Sequence, residues 1–233
     1  MSLKFIAWKG AFAVGIVSFA LGFTAPVAAN NVTLRPSQPT HYLYTPMARV
    51  NPPGHLVLGF HEISYAMPGR LQVQASIMDN IGRTCLAAKY GFADNLSFGG
   101  GLATTLVNIG YHGIPPGDAR LGLFLTYGLA ERQDFSMAIT PHTQIGSHIS
   151  MGIDFGMRLT PTDFWSFIWE IGSSVDVTDP MLYLYTIGGL RIHPPKVPIL
   201  FIDVGVSASE FRVDDFRPRA RAYIDIMVCF ITG

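Results

Sequence analysis

Residues 149–160 read Ile-Ser-Met-Gly-Ile-Asp-Phe-Gly-Met-Arg-Leu-Thr, and apolar residues alternate in them with polar or small ones. Successive side chains of a β-strand point to opposite faces, so this stretch predicts a strand with one apolar and one polar face. In a helix the same residues would spread charge around the whole surface. The alternation returns in residues 71–77, 120–127 and 223–230. The chain is therefore predicted to consist largely of such strands.

Alternating segments of about ten residues, separated by turn residues, are typical of a transmembrane β-barrel. We predict an all-β fold, a closed antiparallel up-and-down transmembrane β-barrel of about twelve strands. Pro46 interrupts the first strand, and proline is confined to edges and bulges, so ten strands is the alternative. The predicted strands are residues 40–50, 55–65, 71–78, 84–92, 96–107, 119–130, 134–142, 147–159, 164–176, 181–192, 197–208 and 217–230.

The composition also favours a lipid-facing surface. Only 14% of the 233 residues are charged and 49% are hydrophobic, whereas an average soluble domain carries about 25% charge. Lys+Arg and Asp+Glu both number 16, so the basic excess of a nucleic-acid-binding protein is absent. We expect no nucleic-acid partner.

The first 29 residues have the layout of a cleaved signal peptide. Lys4 and Lys9 precede an uncharged apolar run over residues 11–23, and Val27 and Ala29 supply small residues before a cleavage site. An uncleaved transmembrane helix is the alternative. We predict a signal peptide at 1–29, an N-terminal periplasmic segment at 30–39 and the transmembrane barrel at 40–233.

Short and long turns alternate along the predicted barrel. In outer-membrane barrels the short turns face the periplasm and the longer loops face outside. This places the connection at residues 67–70 on the periplasmic side, and those at residues 51–54 and 79–83 outside. Further short turns are predicted at residues 93–95, 131–133, 161–163 and 193–196, and longer loops at 109–119, 143–148, 177–180 and 209–218.

Two short-turn hairpins share a pattern. Tyr-Gly-Phe-Ala-Asp-Asn at residues 90–95 matches Tyr-Gly-Leu-Ala-Glu-Arg at 127–132, and residues 156–164 are a looser copy. The pattern resembles the periplasmic hairpins of bacterial outer-membrane β-barrel, porin-like proteins. That resemblance implies a place in the bacterial outer membrane, contact with its lipid, and insertion by the barrel-assembly machinery.

The polar face of the strands is predicted to line the lumen. It carries glycines at many positions, which suit a crowded concave side, together with five basic and five acidic residues. Charges of both signs compensate one another in a narrow interior, where an unpaired charge costs several kcal/mol, about 3–5. The predicted lumen-lining charges are Lys89, Arg120, Asp154, Arg158, Glu170, Asp176, Arg191, Asp203, Arg221 and Asp225.

Aromatic residues gather near the predicted periplasmic turns on the apolar face. Aromatic side chains at one level of a barrel form the girdle that sits at a membrane interface. The predicted membrane girdle is Tyr90, Phe92, Phe98, Tyr127, Phe135, Trp165, Phe167 and Trp169.

Two groups of residues bring catalytic residue types together. His61 and Glu62 lie near Ser64, and His142 lies near Ser147 and His148. A triad needs hydrogen-bond distances of roughly 2.6–3.2 Å, which closeness in sequence does not supply. No catalytic residue, metal site or cofactor is predicted. An outer-membrane hydrolase would require His61 or His142 to lie close to a serine and an acid.

The two cysteines are predicted to be free. Cys85 and Cys229 are placed near opposite ends of their strands, on the order of 20–30 Å apart at about 3.3 Å per residue. A disulfide needs Cα atoms within roughly 7 Å.

Three functions fit the sequence. The first is a passive small-solute channel or a structural barrel of the outer membrane. The second is an outer-membrane hydrolase of lipid or peptide, with a site at the rim. The third is a soluble secreted barrel that binds an apolar ligand. Twelve strands lie between a filled eight-stranded barrel and an open porin, so openness of the lumen is not decided by strand number.

Overall fold

A computed structural model describes residues 39, 41, 43, 45–60, 62–76, 83–105, 119–132, 134–178, 181–197, 199–212 and 219–231. Within them, only the backbone is described for residues 76, 83–85, 103–105, 181, 209–212, 219 and 221. The predicted signal peptide, residues 30–38 and His61 lie outside the described residues. No helix in this part of the chain is long and apolar enough to cross a membrane.

Twelve strands form the described fold, which confirms the predicted number. They are β1 His55–Gly59, β2 Ile63–Met67, β3 Leu71–Ser76, β4 Arg83–Ala93, β5 Leu96–Thr105, β6 Ala119–Glu131, β7 Phe135–Ile145, β8 Ile149–Thr162, β9 Trp165–Asp176, β10 Met181–Ile192, β11 Leu200–Arg212 and β12 Arg219–Ile231.

The strands close into one barrel. Each strand pairs antiparallel with its neighbours in sequence, and β1 closes the sheet by pairing with β12, for example Val57 with Cys229. The predicted closed, up-and-down antiparallel topology is confirmed. We call the end that holds Ile231 and the short β4–β5 and β8–β9 turns the turn end. The loop end holds the long β5–β6 and β11–β12 connections.

The alternation in sequence becomes alternation in burial. In β9 the side chains of Ser166, Ile168 and Glu170 are buried, whereas Phe167 and Trp169 between them are 39% and 36% exposed. Apolar side chains therefore cover the outside of the barrel, and polar and small side chains point into its lumen.

The N-terminal part of the barrel differs from the prediction. None of the described residues within 40–50 belongs to a wall strand, so the strand predicted there is wrong. The predicted strand 55–65 is two strands, β1 and β2. The amide of Gly59 donates to the carbonyl of Glu62 at 2.7 Å and closes a tight turn between them. Residues 51–54 consequently lie at the turn end, because His55 pairs with Ile231, and not at the opposite end as predicted.

The wall has uneven height. The strands β1 to β3 have five, five and six residues, whereas the other nine have 10 to 14. A membrane-spanning strand needs about 9–11 residues. Of the described strands, β11 alone pairs with residues 219–226 of β12. The wall is therefore low toward the loop end beside β12.

Candidate functional site: a lumen occupied by residues 39–51

Most of the predicted lumen charges are buried inside the barrel. The side chains of Asp154 and Asp176 are each 15% exposed, and Arg120 is half-buried. Arg221 lies on β12, but its side chain is outside the described part. At 3% exposure or less are Lys89, Arg158, Glu170, Arg191, Asp203 and Asp225.

Arg191 and Asp203 form a bidentate ion pair in the lumen wall. They are direct cross-strand partners on β10 and β11, and Arg191 Nε and Nη2 donate to the two carboxylate oxygens at 2.8 and 2.7 Å. Both side chains are almost completely buried. The planar fork of the guanidinium matches the carboxylate, which gives the strongest geometry for such a pair.

We call residues 39–51 the lumen segment, because its described residues lie inside the barrel. Residues 40, 42 and 44 of the segment are outside the described part. Leu43, Met47 and Ala48 are at most 3% exposed. Because the segment contacts side chains of β3, β4, β9, β10 and β12 around the barrel, it occupies the lumen and not an outer face.

Glu170 of β9 is an acceptor for the lumen segment. Its carboxylate accepts hydrogen bonds from the amide of Leu43, from the amide of Thr45 at 3.1 Å and from the Thr45 hydroxyl at 2.9 Å. Hydrogen bonds to a charged group are worth about 1.5–3 kcal/mol each. Glu170 thus anchors the segment through its main chain.

Donors on other strands bind the carbonyls of the lumen segment. Lys89 Nζ donates to the carbonyls of Met47 at 3.3 Å and Arg49 at 2.9 Å. Arg191 Nη1 donates to the carbonyl of His41 at 3.1 Å. The Tyr223 hydroxyl donates to the carbonyl of Leu43 at 3.2 Å. Buried cations of the wall are therefore satisfied by peptide carbonyls.

Apolar contacts complete the docking of the lumen segment. Leu43 and Met47 pack in one buried cluster with Ala138, Ile168, Ile187 and Tyr223. His41 Nδ1 contacts the carboxylate of Glu62, which lies in the turn between β1 and β2.

Glycines of the wall make room for the segment. A Cβ at position 189 would lie 3.2 Å from Leu43 Cδ1, and one at position 128 would lie 3.3 Å from Ala48 Cβ.

A second apolar cluster of Val57, Phe201, Met227 and Cys229 fills the lumen beside β1 near the turn end. The turn-end half of the lumen is therefore filled.

The loop-end half holds partly exposed polar groups. His142 Nε2 lies 3.4 Å from Asp154 Oδ1, with side-chain exposures of 18% and 15%. His148 Nδ1 lies 3.3 Å from Asp176 Oδ2 and 3.2 Å from the Thr178 hydroxyl. Tyr185 packs against the buried cluster that holds Leu43 and Met47, and its ring and Asp154 both lie beside Gly172, so it connects the two halves.

The candidate catalytic groups do not assemble into a triad among the described residues. The polar partner of the His142 ring there is Asp154, and no serine hydroxyl bonds to it. Ser64 accepts a hydrogen bond from Gln72 at 3.1 Å. In the same part of the chain, no three His, Cys, Asp or Glu side chains form a cluster that could hold a metal ion.

The predicted girdle residues lie near the turn end of their strands. Tyr90, Phe92 and Phe98 are 42–58% exposed on the outside of the barrel, Phe167 and Trp169 lie outside as described above, and Tyr127, Phe135 and Trp165 are half-buried. Tyr90 and Phe92 meet edge to face at 5.0 Å. The Cys229 side chain is buried and forms no disulfide, as predicted, and the Cys85 side chain is outside the described part.

Sequence reasoning missed the lumen segment itself. Its contacts join residues that are far apart in the chain, 125 residues for Thr45 with Glu170 and 180 for Leu43 with Tyr223. The available signal was the proline content of residues 46–53, which argues against a central strand.

A closed antiparallel barrel with an apolar outside and a charged lumen defines an outer-membrane barrel or channel. No family model and no curated protein matches the chain. Among solved structures it is similar to the NanC porin in a rhombohedral crystal form, with a TM-score of 0.50 and 12% sequence identity over 76% of this chain and 97% of the porin chain. At this identity the likeness is one of fold, and the fold is porin-like.

Proposed function

We propose that the protein is a bacterial outer-membrane channel for small solutes, which the lumen segment closes in the state described. The main support is that buried charges of three wall strands, Lys89, Glu170 and Arg191, bind the main chain of residues 41–49 across the lumen. The loop-end half keeps partly exposed polar groups, such as His142 and Asp154, and groups of this kind are suited to line a solute path. The porin-like fold agrees with this proposal.

The proposal also assigns a role to the aromatic residues on the outside of the barrel. The aromatic residues near the turn end form the girdle at the periplasmic interface, and the lumen charges line the solute path. Export by the signal peptide and insertion by the barrel-assembly machinery belong to the proposal.

Conductance in planar bilayers tests the function. The refolded mature protein should give few or no steady steps, and a variant lacking residues 39–50 should give steady steps at the same protein amount. The deletion variant must first show β-sheet circular dichroism and heat-modifiable migration typical of a folded barrel. A folded deletion variant that stays silent would favour a structural barrel and reject the channel.

A further inference from the structure

We infer that the turn-end half of the lumen is a peptide-binding site, which residues 39–51 occupy in cis and which a separate peptide of different sequence can occupy. The inference goes beyond conduction, and its test measures binding alone. A folded barrel that binds peptide without conducting would separate the two proposals.

The wall recognises the main chain of the segment. Side chains of the wall bind both amides and carbonyls of the lumen segment, so these contacts use both donors and acceptors. The bonded main-chain atoms include the amides of Leu43, Thr45 and Asn51 and the carbonyls of His41, Leu43, Met47 and Arg49. Main-chain groups are present in every peptide, so these contacts do not select a sequence.

The charges of the wall match a peptide better than they match an ion. Lys89, Arg191 and Tyr223 donate and Glu170 and Gln72 accept, all toward the same segment. An inorganic anion would accept from the donors but would offer no N–H group to Glu170, and a cation would bind Glu170 but would offer no acceptor to the donors. A peptide offers N–H and C=O groups in turn, so it satisfies both kinds of buried group.

A bound peptide would also need certain side chains at particular positions. Leu43 and Met47 enter the buried apolar cluster, and His41 pairs with Pro46 in an antiparallel bridge, so the chain reverses direction between them. The expected ligand is therefore a peptide with two apolar residues four positions apart and a turn-forming residue between them.

The junction of the segment with the barrel permits a direct test. Pro52 and Pro53 are exposed in the connection that leads to β1, so a protease site inserted between them can be cut after the barrel has folded around its own segment. A fluorescently labelled synthetic peptide of residues 39–52 is then added in detergent, and its anisotropy is measured. Labelled peptide should bind the cut protein and not the uncut protein.

Modified peptides separate main-chain recognition from sequence recognition. A peptide with Thr45, Ala48 and Val50 changed to serine should bind within about fivefold of the native sequence. N-methylation at the amides of Leu43 and Thr45 should weaken binding at least tenfold, because both amide donors to Glu170 are lost. N-methylation at Met47, whose amide has no hydrogen bond in the described part of the chain, is the matched control and should change binding little.

After cleavage, the protein's own lumen segment can remain bound and block the labelled peptide. A second variant weakens this resident segment. Leu43→Ala with Met47→Ala in the cut chain weakens the resident fragment, and the labelled native peptide should then replace it. Failure of every peptide to bind this variant, equal binding of the doubly N-methylated peptide, or loss of binding with the three serine changes would each overturn the inference.

Discussion

The two halves of the lumen differ in how their polar groups are satisfied. In the turn-end half, Lys89, Glu170 and Arg191 are at most 1% exposed and bind the lumen segment. In the loop-end half, His142 and Asp154 are 18% and 15% exposed and face each other at 3.4 Å. The chain itself therefore fills the turn-end half of this lumen, whereas the loop-end half keeps polar groups that are partly exposed.

The largest expected effect lies in the filled half, at the buried ion pair. Arg191→Met leaves Asp203 as a buried unpaired charge, and we expect the free energy of unfolding to fall by about 3–5 kcal/mol. Denaturant unfolding in detergent, followed by tryptophan fluorescence, measures it. Arg191→Met combined with Asp203→Leu is the control, and it should recover much of the loss because an apolar pair of similar size needs no partner charge. If Arg191→Met were as stable as the parent protein, the polar groups of the turn-end half would not depend on their buried partners, and the difference between the two halves would disappear.

The apolar anchors of the lumen segment come next. Leu43→Ala and Met47→Ala each remove a buried side chain, which costs about 2–5 kcal/mol in a site that cannot collapse. We expect this loss to appear as release of the segment, with faster amide hydrogen exchange at residues 45–51 and unchanged exchange in β8 and β9. Leu86→Ala is the matched control, since Leu86 is 63% exposed on the outside of the barrel. Uniformly faster exchange throughout the barrel would mean that the segment is part of the core and not a separable occupant.

Substitutions at Glu170 test how much individual hydrogen bonds contribute to docking of the lumen segment. Glu170→Ala should weaken docking of the segment by at least ~1.5–3 kcal/mol, the value of one such bond, because the amides of Leu43 and Thr45 and the Thr45 hydroxyl all lose a charged acceptor. Glu170→Gln keeps one acceptor oxygen and should have a smaller effect. The exchange rate of the Thr45 amide reports both variants. If the two variants leave that rate unchanged, Glu170 does not hold the segment.

The smallest effect is expected in the loop-end half. His142→Gln replaces the ring beside Asp154 with an amide that can still donate to the carboxylate, so we expect a loss of only about 0.5–1.5 kcal/mol, the net value of one hydrogen bond. Denaturant unfolding should therefore shift little. A loss as large as that of Arg191→Met would show that the loop-end half is as tightly packed as the turn-end half.

The sequence predicted the regular part of the barrel because that information is local. In β8 every second residue faces the lumen, and Gly156 and Arg158 are buried between Phe155, Met157 and Leu159 as the alternation predicts. The twelve strands and their antiparallel closure follow from repeating this rule. Where the rule holds, register and burial need no knowledge of distant residues.

The prediction failed where the chain leaves the wall. Residues 40–50 were assigned to a strand, but their main-chain groups bind Glu170, Arg191 and Tyr223, which come more than 120 residues later. The turn at Gly59 was also missed, because residues on both sides of it continue an apolar and polar alternation. Contacts between distant side chains and a main chain leave no periodic signal in the sequence.

A cysteine pair tests the position of the lumen segment most directly. A Cβ at position 128 would lie 3.3 Å from Ala48 Cβ, close to the Cβ separation of about 3.5–4.5 Å found in disulfides. In a background without Cys85 and Cys229, Ala48→Cys with Gly128→Cys should form a disulfide on mild oxidation of the folded barrel. Ala48→Cys with Gly205→Cys should form none. Failure of the first pair to bridge, with the cysteine at position 48 freely modified by a water-soluble maleimide, would contradict a segment docked in the lumen.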